Sequence, residues 1–499
     1  MSKKYYLGID QGTTGTTSLL LDEEWHQKAR GYKEHKQYYP HPGWVENDPL
    51  EIWENIKAVT ESVLIEEGIN LDAVKCMGLD NQGETVVLWD NVTGKPVYNA
   101  IVWQDRRTAR YADELREAHG EMIREKTGLI VDAYFSATKI KWIIDNVEEA
   151  REKISRGRIN AGTLDAWMIW KLTHGRVFVT DQSTASRTML FNVHTGEWDD
   201  DILKILGIPR EILPEIHDSA EIYGETDPLD FFGGRVKIAG SAVDQQAALF
   251  GQACYEPGMI KTTYGTGAFM LMNTGDEVVY SDNGLLTTVG WGLDGGQMTY
   301  ALDGGIYIAG AAIQWLRDKL RVIGSAAETG EMAKSVSNTG GVFFVPAFAG
   351  LAAPHWDQYA RGTIVGVTGG TTREELVRAT LESEAYQVKD NLDVMEKDSG
   401  IHVDMMRVDG GAVVNDFLMQ FQADILGIPV DVPVITETTA LGAAYLAAYG
   451  IGEYPDLKDL ADRWQLAKRY EPQMDDTTRK NLLHFWHKAV ERSKNWDES

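Results

Sequence analysis

Asp10-Gln11-Gly12-Thr13-Thr14 is the first stretch of the chain whose residue types suit chemistry. It lies between the runs YYLGI and TTSLLL, where strand, tight turn and strand are expected. Gly12 admits close approach of a ligand to the backbone, and the Thr13 and Thr14 hydroxyls add donors, as phosphate binding requires. Asp10, at a strand end, is placed to hold Mg²⁺ directly or through water. A plain hairpin closed by an Asx turn accounts for the same residues. Gly265-Thr266-Gly267 repeats the layout between IKTTY and AFMLMN, without the third glycine of a dinucleotide fingerprint. Nowhere does Gly-x-x-x-x-Gly-Lys-Ser/Thr occur, so any phosphate site must use hairpin turns. Gly410-Gly411-Ala412 follows RVD, and Asn415 comes soon after. Small residues at a helix start let a ligand lie on the backbone, and an Asn amide can read a purine edge. A close helix–strand packing pair explains these glycines equally well. Asp244-Gln245-Gln246 follows KIAGSAV and precedes AALFG; a carboxylate at that strand end is placed to act as a general base, or is an ordinary surface acid. His484 and His487 share a helix face, but no third ligand is in sight and a solvated face is expected.

The elements that must position these residues follow from periodicity. Hairpins are expected over 5–21 and 260–273, each presenting a Gly-Thr turn, which hints at an internal duplication. Val377, Leu381, Ala385, Val388 and Leu392 repeat at helical spacing, and a second helix begins near Ala309 and carries Ile313 and Leu316. Strands alternating with helices through both halves give an α/β class.

Length and charge set the frame. A chain of 499 residues exceeds a single core and calls for several domains. The net charge of −27 repels phosphate backbones and anionic lipid, which argues against nucleic-acid or peripheral-membrane partners but not against a small anion in a local pocket of donors. Cys76 and Cys254 are too few for a disulfide framework or a four-cysteine zinc site, and are expected as buried thiols of a reducing compartment. The N-terminal MSKKYYLGID lacks a signal-peptide core, and ALGAAYLAAYGI from Ala440 falls short of the ~18 residues of a membrane span. A cytoplasmic protein without membrane insertion is expected.

Nearly end to end, the chain resembles the glycerol kinases of the FGGY carbohydrate-kinase family. The resemblance is carried by GIDQGTT, GWVENDPLEIW, NAIVWQDRRTA, VDQQAALFGQ, TYGTGAFMLMNTG, FVPAFAGLAAPHWD, RVDGGAVVNDFLMQFQADIL and TALGAAYLA. Two signatures fall at Tyr134-x-Ser136-x-x-Lys139-Ile140-x-Trp142 and at 362–382. The resemblance implies two actin-like (ribonuclease-H-like) ATPase domains, here 1–250 and 251–499, with ATP and substrate in the cleft between them. It implies ATP and Mg²⁺ as cofactors, a small polyol or sugar as substrate, and a homo-oligomer, dimer or tetramer. Carried over position by position, Asp10 and Asp244 would flank the metal, and Asp244 would take the hydroxyl proton. Gly12, Thr13 and Thr14 would line one phosphate hairpin, Thr266 and Gly267 the other, and Gly310, Gln314, Gly411 and Asn415 would hold the nucleotide. The polyol pocket would comprise Gly83, Glu84, Trp103, Tyr134, Asp244, Gln245 and Phe269, with carboxylates and amides for the hydroxyl edge and aromatic rings for the C–H edge.

Two positions depart from the family pattern, and both remove a guanidinium. The family's Ser-Ser-Arg after the first hairpin is Gly15-Thr16-Thr17 here, and its Asn-Gln-Arg-Glu-Thr is Asn81-Gln82-Gly83-Glu84-Thr85. Forked, charge-assisted donors are not replaced by Thr or Gly. The space vacated at 83 is expected to hold water, or the extra atoms of a longer polyol, unless an Arg from elsewhere in the chain swings in, Arg106 and Arg107 of WQDRRT being the candidates. The expected activity is therefore ATP-dependent phosphorylation of a terminal hydroxyl, of glycerol first. A longer polyol or sugar is the alternative within the family, and a catalytically weak polyol or nucleotide sensor the alternative outside it.

Overall fold

The computed structural model describes residues 3–497. Two sheets organise the chain. The first is built from β1 (Tyr5–Gln11), β2 (Gly15–Asp22), β3 (Gln27–Glu34), β4 (Val74–Asn81) and β5 (Lys237–Val243). Its order is β5-β4-β1-β2-β3, with Gly224–Glu225 as a short edge strand beside β5. The second comprises β6 (Ile260–Tyr264), β7 (Ala268–Gly275), β8 (Leu286–Leu293), β9 (Gln297–Ile306), β10 (Met406–Gly410), β11 (Val430–Pro433) and β12 (Leu466–Tyr470). Its order is β8-β9-β7-β6-β10-β11-β12. Each sheet thus has an antiparallel run, β1-β2-β3 or β6-β7-β9, flanked by two strands parallel to its first member. Both expected hairpins are present, and the duplicated strand order extends their likeness well beyond the Gly-Thr turns.

The helices used below are α1 (Ser136–Asn146), α2 (Gln182–Ser186), α3 (Asp244–Gly251), α4 (Gly310–Trp315), α5 (Arg373–Ser399), α6 (Asp416–Leu426), α7 (Thr438–Gly450) and α8 (Asp476–Ser493). The periodic residues Val377 to Leu392 are all buried on α5, which opens on a Thr372–Glu375 capping box. On α8, His487 is not simply solvated: its ring nitrogen meets Asp390 at 2.9 Å, beside the Trp486 indole on the same carboxylate. Cys76 and Cys254 are buried and unbridged. Among the described residues no helix is long and apolar enough to cross a membrane.

The apolar run from Ala440 forms α7, which is hydrophobic all round because it lies between the first sheet and α3. The contact is backbone to backbone. A Cβ added to Gly8 of β1 would lie 2.0 Å from the Ala440 carbonyl oxygen, and one on Gly78 of β4 1.8 Å from that of Ala443. From the other side, Gly442 would meet the Ala247 oxygen at 1.8 Å, and Gly251 that of Thr438 at 2.0 Å. No side chain fits at these four positions without displacing the helix. We predict that Gly78→Ala and Gly442→Ala each lower stability by at least ~1–3 kcal/mol through overpacking. Gly369→Ala, where an added Cβ meets nothing within 4 Å, is expected to be neutral or slightly stabilising. Urea unfolding of the three variants checks this.

Candidate active site

The α7 contact delivers acids to one place. Gly8 and Gly78 are register partners on parallel β1 and β4, and so, two residues on, are Asp10 and Asp80. Residues two apart share a sheet face, so both carboxyls project beside the start of α7. Asp244 is the first residue of α3, at the end of β5, next to β4. Asp10 and Asp80 touch through their carboxyl groups, and burial with the added charge of Asp244 lifts Asp10 to about 7. Asp80 is fully buried and pushed well above the usual carboxylate range, by burial first and then by Asp10. No N–H or O–H donor reaches either Asp80 oxygen. Such a pair needs a shared proton or a cation, and its oxygen-only chemistry fits a hard divalent ion. Sequence reasoning missed Asp80; its place directly before the Asn-Gln-x-Glu-Thr motif was the available signal.

Around Glu84 the arrangement is tighter than the sequence suggests. Glu84 is 3% exposed and adopts φ 62, a left-handed conformation uncommon outside glycine, which marks a position held by its surroundings. The Tyr134-to-Trp142 signature does much of the holding. Ser136 Oγ donates to the Glu84 carbonyl at 3.2 Å, and the buried Lys139 ammonium caps the carbonyls of Tyr134 and Phe135. Burial pulls Lys139 down to about 7. Burial also lifts Glu84 to about 7, even though Arg187 Nε donates to its Oε1 at 2.7 Å. Trp103 packs edge-on against Tyr134, with ring centres 5.6 Å apart, and its indole N–H donates to Thr13 Oγ1 at 2.9 Å. The expected wall of the polyol pocket is thereby bonded to the expected phosphate hairpin.

The second sheet closes the far side. Lys261, fully buried, donates from Nζ to Gln245 Oε1 and, at 3.0 Å, to Thr263 Oγ1. Thr263 pairs with Phe269, and Phe269 with Gly305, so these residues share a face with Asp303 two places along β9. Asp303 reaches back across the cleft to Arg187 at 3.0 Å. Asp244 Oδ1 accepts the Gln245 N–H at 2.7 Å; burial raises its pKa, opposed by that bond and by Lys261.

The residues expected to hold the nucleotide lie in four places. Gly12 closes its hairpin by donating to the Gly15 carbonyl at 2.9 Å, with Thr13 half-buried and Thr14 exposed. Gly265 and Thr266 are exposed, and Gly267 is half-buried. The amides of Ala309 and Ala311 both donate to the Thr266 carbonyl at 3.0 Å, and that of Gly310 to Gly265 at 3.1 Å. The first turn of α4 is thus consumed in holding the hairpin, and Gln314 one turn on is exposed. Gly411 faces open space, as a ligand surface requires. Asn415 caps α6 by accepting the Leu418 N–H at 3.2 Å, and its amide nitrogen donates to Thr329.

Both rescues expected at position 83 are overturned. Arg106 pairs with Asp132, and Arg107 is walled in by Glu46, Asp105 and the Trp44 ring, whose centre lies 3.8 Å from its guanidinium. A side chain at position 83 has no free room either, because a Cβ there would lie 2.5 Å from Val243 Cγ2. The guanidinium at Glu84 is that of Arg187, 103 residues away.

The acid cluster predicts a pH effect on the ligand-free protein. A carboxyl whose folded pKa exceeds its unfolded value costs stability progressively as pH rises from the unfolded to the folded value. For Asp10 that window runs from 3.8 to about 7, and for Asp80 it extends well above 3.8. Asp80→Asn is therefore expected to raise Tm, and to raise it more at pH 8 than at pH 6, as thermal melts at the two pH values check.

Residues 5–251 match the profile described as FGGY family of carbohydrate kinases, N-terminal domain, and residues 260–451 that of the C-terminal domain. Glycerol kinase 2 of Thermotoga maritima is 57% identical over 496 residues, spanning 99% of this chain and 100% of that protein. The glycerol kinase of Carboxydothermus hydrogenoformans is 56% identical over 499 residues, 100% of this chain and 99% of that one. Among solved structures, Plasmodium falciparum glycerol kinase with ADP superposes with a TM-score of 0.92 at 38% identity, covering 98% of both chains. The fold is accordingly the two-domain, actin-like kinase fold. With both halves of the profile matched in order and relatives more than half identical end to end, the chain belongs to the FGGY family of carbohydrate kinases.

Proposed function

We propose that this protein transfers the γ-phosphoryl group of ATP to a terminal hydroxyl of glycerol, giving glycerol 3-phosphate. The observation that carries the reading is Glu84, held in a strained conformation beside Asp244, Trp103 and Tyr134, and tied through Trp103 to the Thr13 hairpin. Glycerol kinases more than half identical over essentially the whole chain support glycerol as the substrate. The chain divides at 250/251, the first part holding the polyol pocket and first hairpin, the second most of the nucleotide site.

In this reading Glu84 and the Gln245 amide take the polyol hydroxyls, while Trp103 and Phe269 cover its C–H edge. Asp244 accepts the proton of the attacking hydroxyl. Its carboxylate is fixed by the Gln245 N–H and does not need a high basicity, because in a loose transition state the proton leaves late. Asp10, Asp80 and Asp244 would hold Mg²⁺, which when bound neutralises charge on the phosphate oxygens. Positioning by the two hairpins supplies much of the remainder. Substrate access needs only a soluble polyol, so a cytoplasmic enzyme is the natural setting, and a homo-oligomer the expected assembly. The glycerol kinase relatives favour glycerol over a longer polyol, and a sensor would not need the base.

Coupled ADP release with glycerol, a tetritol, a pentitol and sugars tests the activity; glycerol is expected to lead, and absence of turnover on every polyol would refute the reading. Asp244→Asn should lower kcat by at least the ~10²-fold of a lost general base with the melting temperature little changed. Near-parental turnover would remove Asp244 from that role.

A further inference from the structure

Gly83 is dictated by space, not by backbone conformation. Its φ lies outside the left-handed range, yet a Cβ would press on Val243 Cγ2 at 2.5 Å and lie 4.0 Å from Arg187 Cγ. Val243 is the last residue of β5, opposite Asn81 on β4, and is 2% exposed. Its isopropyl group therefore fills the room that a side chain at 83 would take, next along the chain from Asp244.

Arg187 closes the same point from the end of α2. It is 4% exposed, with its guanidinium 5.9 Å from the Tyr134 ring centre and 5.6 Å from that of Phe135. Nε is committed to Glu84 Oε1 at 2.7 Å. Nη1 lies within ion-pair distance of Asp303, at 3.0 Å, but is not aligned to hydrogen bond to any protein atom. A buried guanidinium N–H without an acceptor is costly. A hydroxyl bound beside Glu84 would supply the acceptor and, through its own proton, a donor to the second oxygen of Glu84.

We propose that Arg187 Nη1 donates to a hydroxyl of the bound polyol, and that Val243 ends the pocket at a three-carbon chain. The inference rests on the polyol-kinase reading above and assigns the specificity of that site. Arg187 would touch substrate, whereas Val243 acts by excluding a fourth carbon.

The experiment measures kcat and KM for glycerol and for a tetritol, KM for ATP, and glycerol binding without ATP by calorimetry. Val243→Ala is expected to raise the tetritol-to-glycerol ratio of kcat/KM at least about tenfold, the scale of one methylene of pocket depth. Arg187→Lys keeps the charge near Glu84 and Asp303 but loses the fork. It should lower glycerol kcat/KM about 10- to 100-fold, mainly through KM, and leave the KM for ATP unchanged. Should Val243→Ala fold poorly, the pair Gly83→Arg and Gly83→Arg/Val243→Gly gives the same answer. The single variant should fail through the clash, and the double variant should regain glycerol activity. An unchanged substrate ratio in Val243→Ala, glycerol binding in Arg187→Lys within threefold of the parent, or a double variant no better than Gly83→Arg overturns the inference while the kinase reading stands. If the parental protein phosphorylates no polyol, both fall together.

Discussion

The close approach of α7 to the first sheet is the contact on which the site depends. Helix and sheet touch through glycines and backbone carbonyls, so their separation is set by main-chain atoms, which cannot adjust as side chains do. Asp10 and Asp80 each stand two residues beyond one of those glycines, on the same face. Asp244 opens the helix whose last residue, Gly251, meets the start of α7. Moving α7 outward by one methyl group would shift three acids together. Because α7 lies in sequence between β11 and β12 of the second sheet but packs on the first, the same contact also joins the two halves of the molecule.

That rigidity makes the electrostatics of the pocket possible. Asp10, Asp80, Glu84, Lys139, Arg187, Asp244 and Lys261 crowd into a region largely closed to solvent. Burial is the leading cause of the shift at Asp10, Glu84 and Lys139, which all come near 7. Groups poised this way change their proton content when a cation or a hydroxyl arrives, and unlike charges held at fixed distances do not reorganise at each turnover.

Local features of this plan were legible in the sequence. The Gly-Thr turns, the spacing along α5 and the glycine-rich turn after β10 all follow from residues close in the chain, where period and turn chemistry leave a direct imprint. Even the apolar run from Ala440 was visible, although its small residues gave no sign of what they approach. Relations between distant positions were not legible. Gly83 reads as a lost guanidinium until Val243, 160 positions along by number, is seen to occupy the room. Arg187 lies in a stretch with no motif of its own, Asp303 reaches the pocket only because β9 pairs with β7, and Lys261 looks like an ordinary strand residue. Asp80 was adjacent to a recognised motif, yet an Asp at a strand end carries little information until its register with Asp10 is known.

The other missing guanidinium follows the same logic with a different outcome. Thr17 pairs across β2 with Asp10 on one side and Tyr32 on the other, and is 5% exposed. No cation stands at that position, but Arg30, two residues from Tyr32 on β3, lies on the same face with its guanidinium 5.5 Å from the tyrosine ring centre. Its field reaches Asp10 and favours the ionised form. It is held in place by an ion pair, with Nε 2.7 Å from Glu437 just before α7. A lost arginine can thus be replaced in space without being replaced in function. Near Glu84 the substitute offers an N–H without a partner, whereas beside the first hairpin the substitute is bound to the helix that positions the acids, and its charge steadies the site instead of opening toward a ligand.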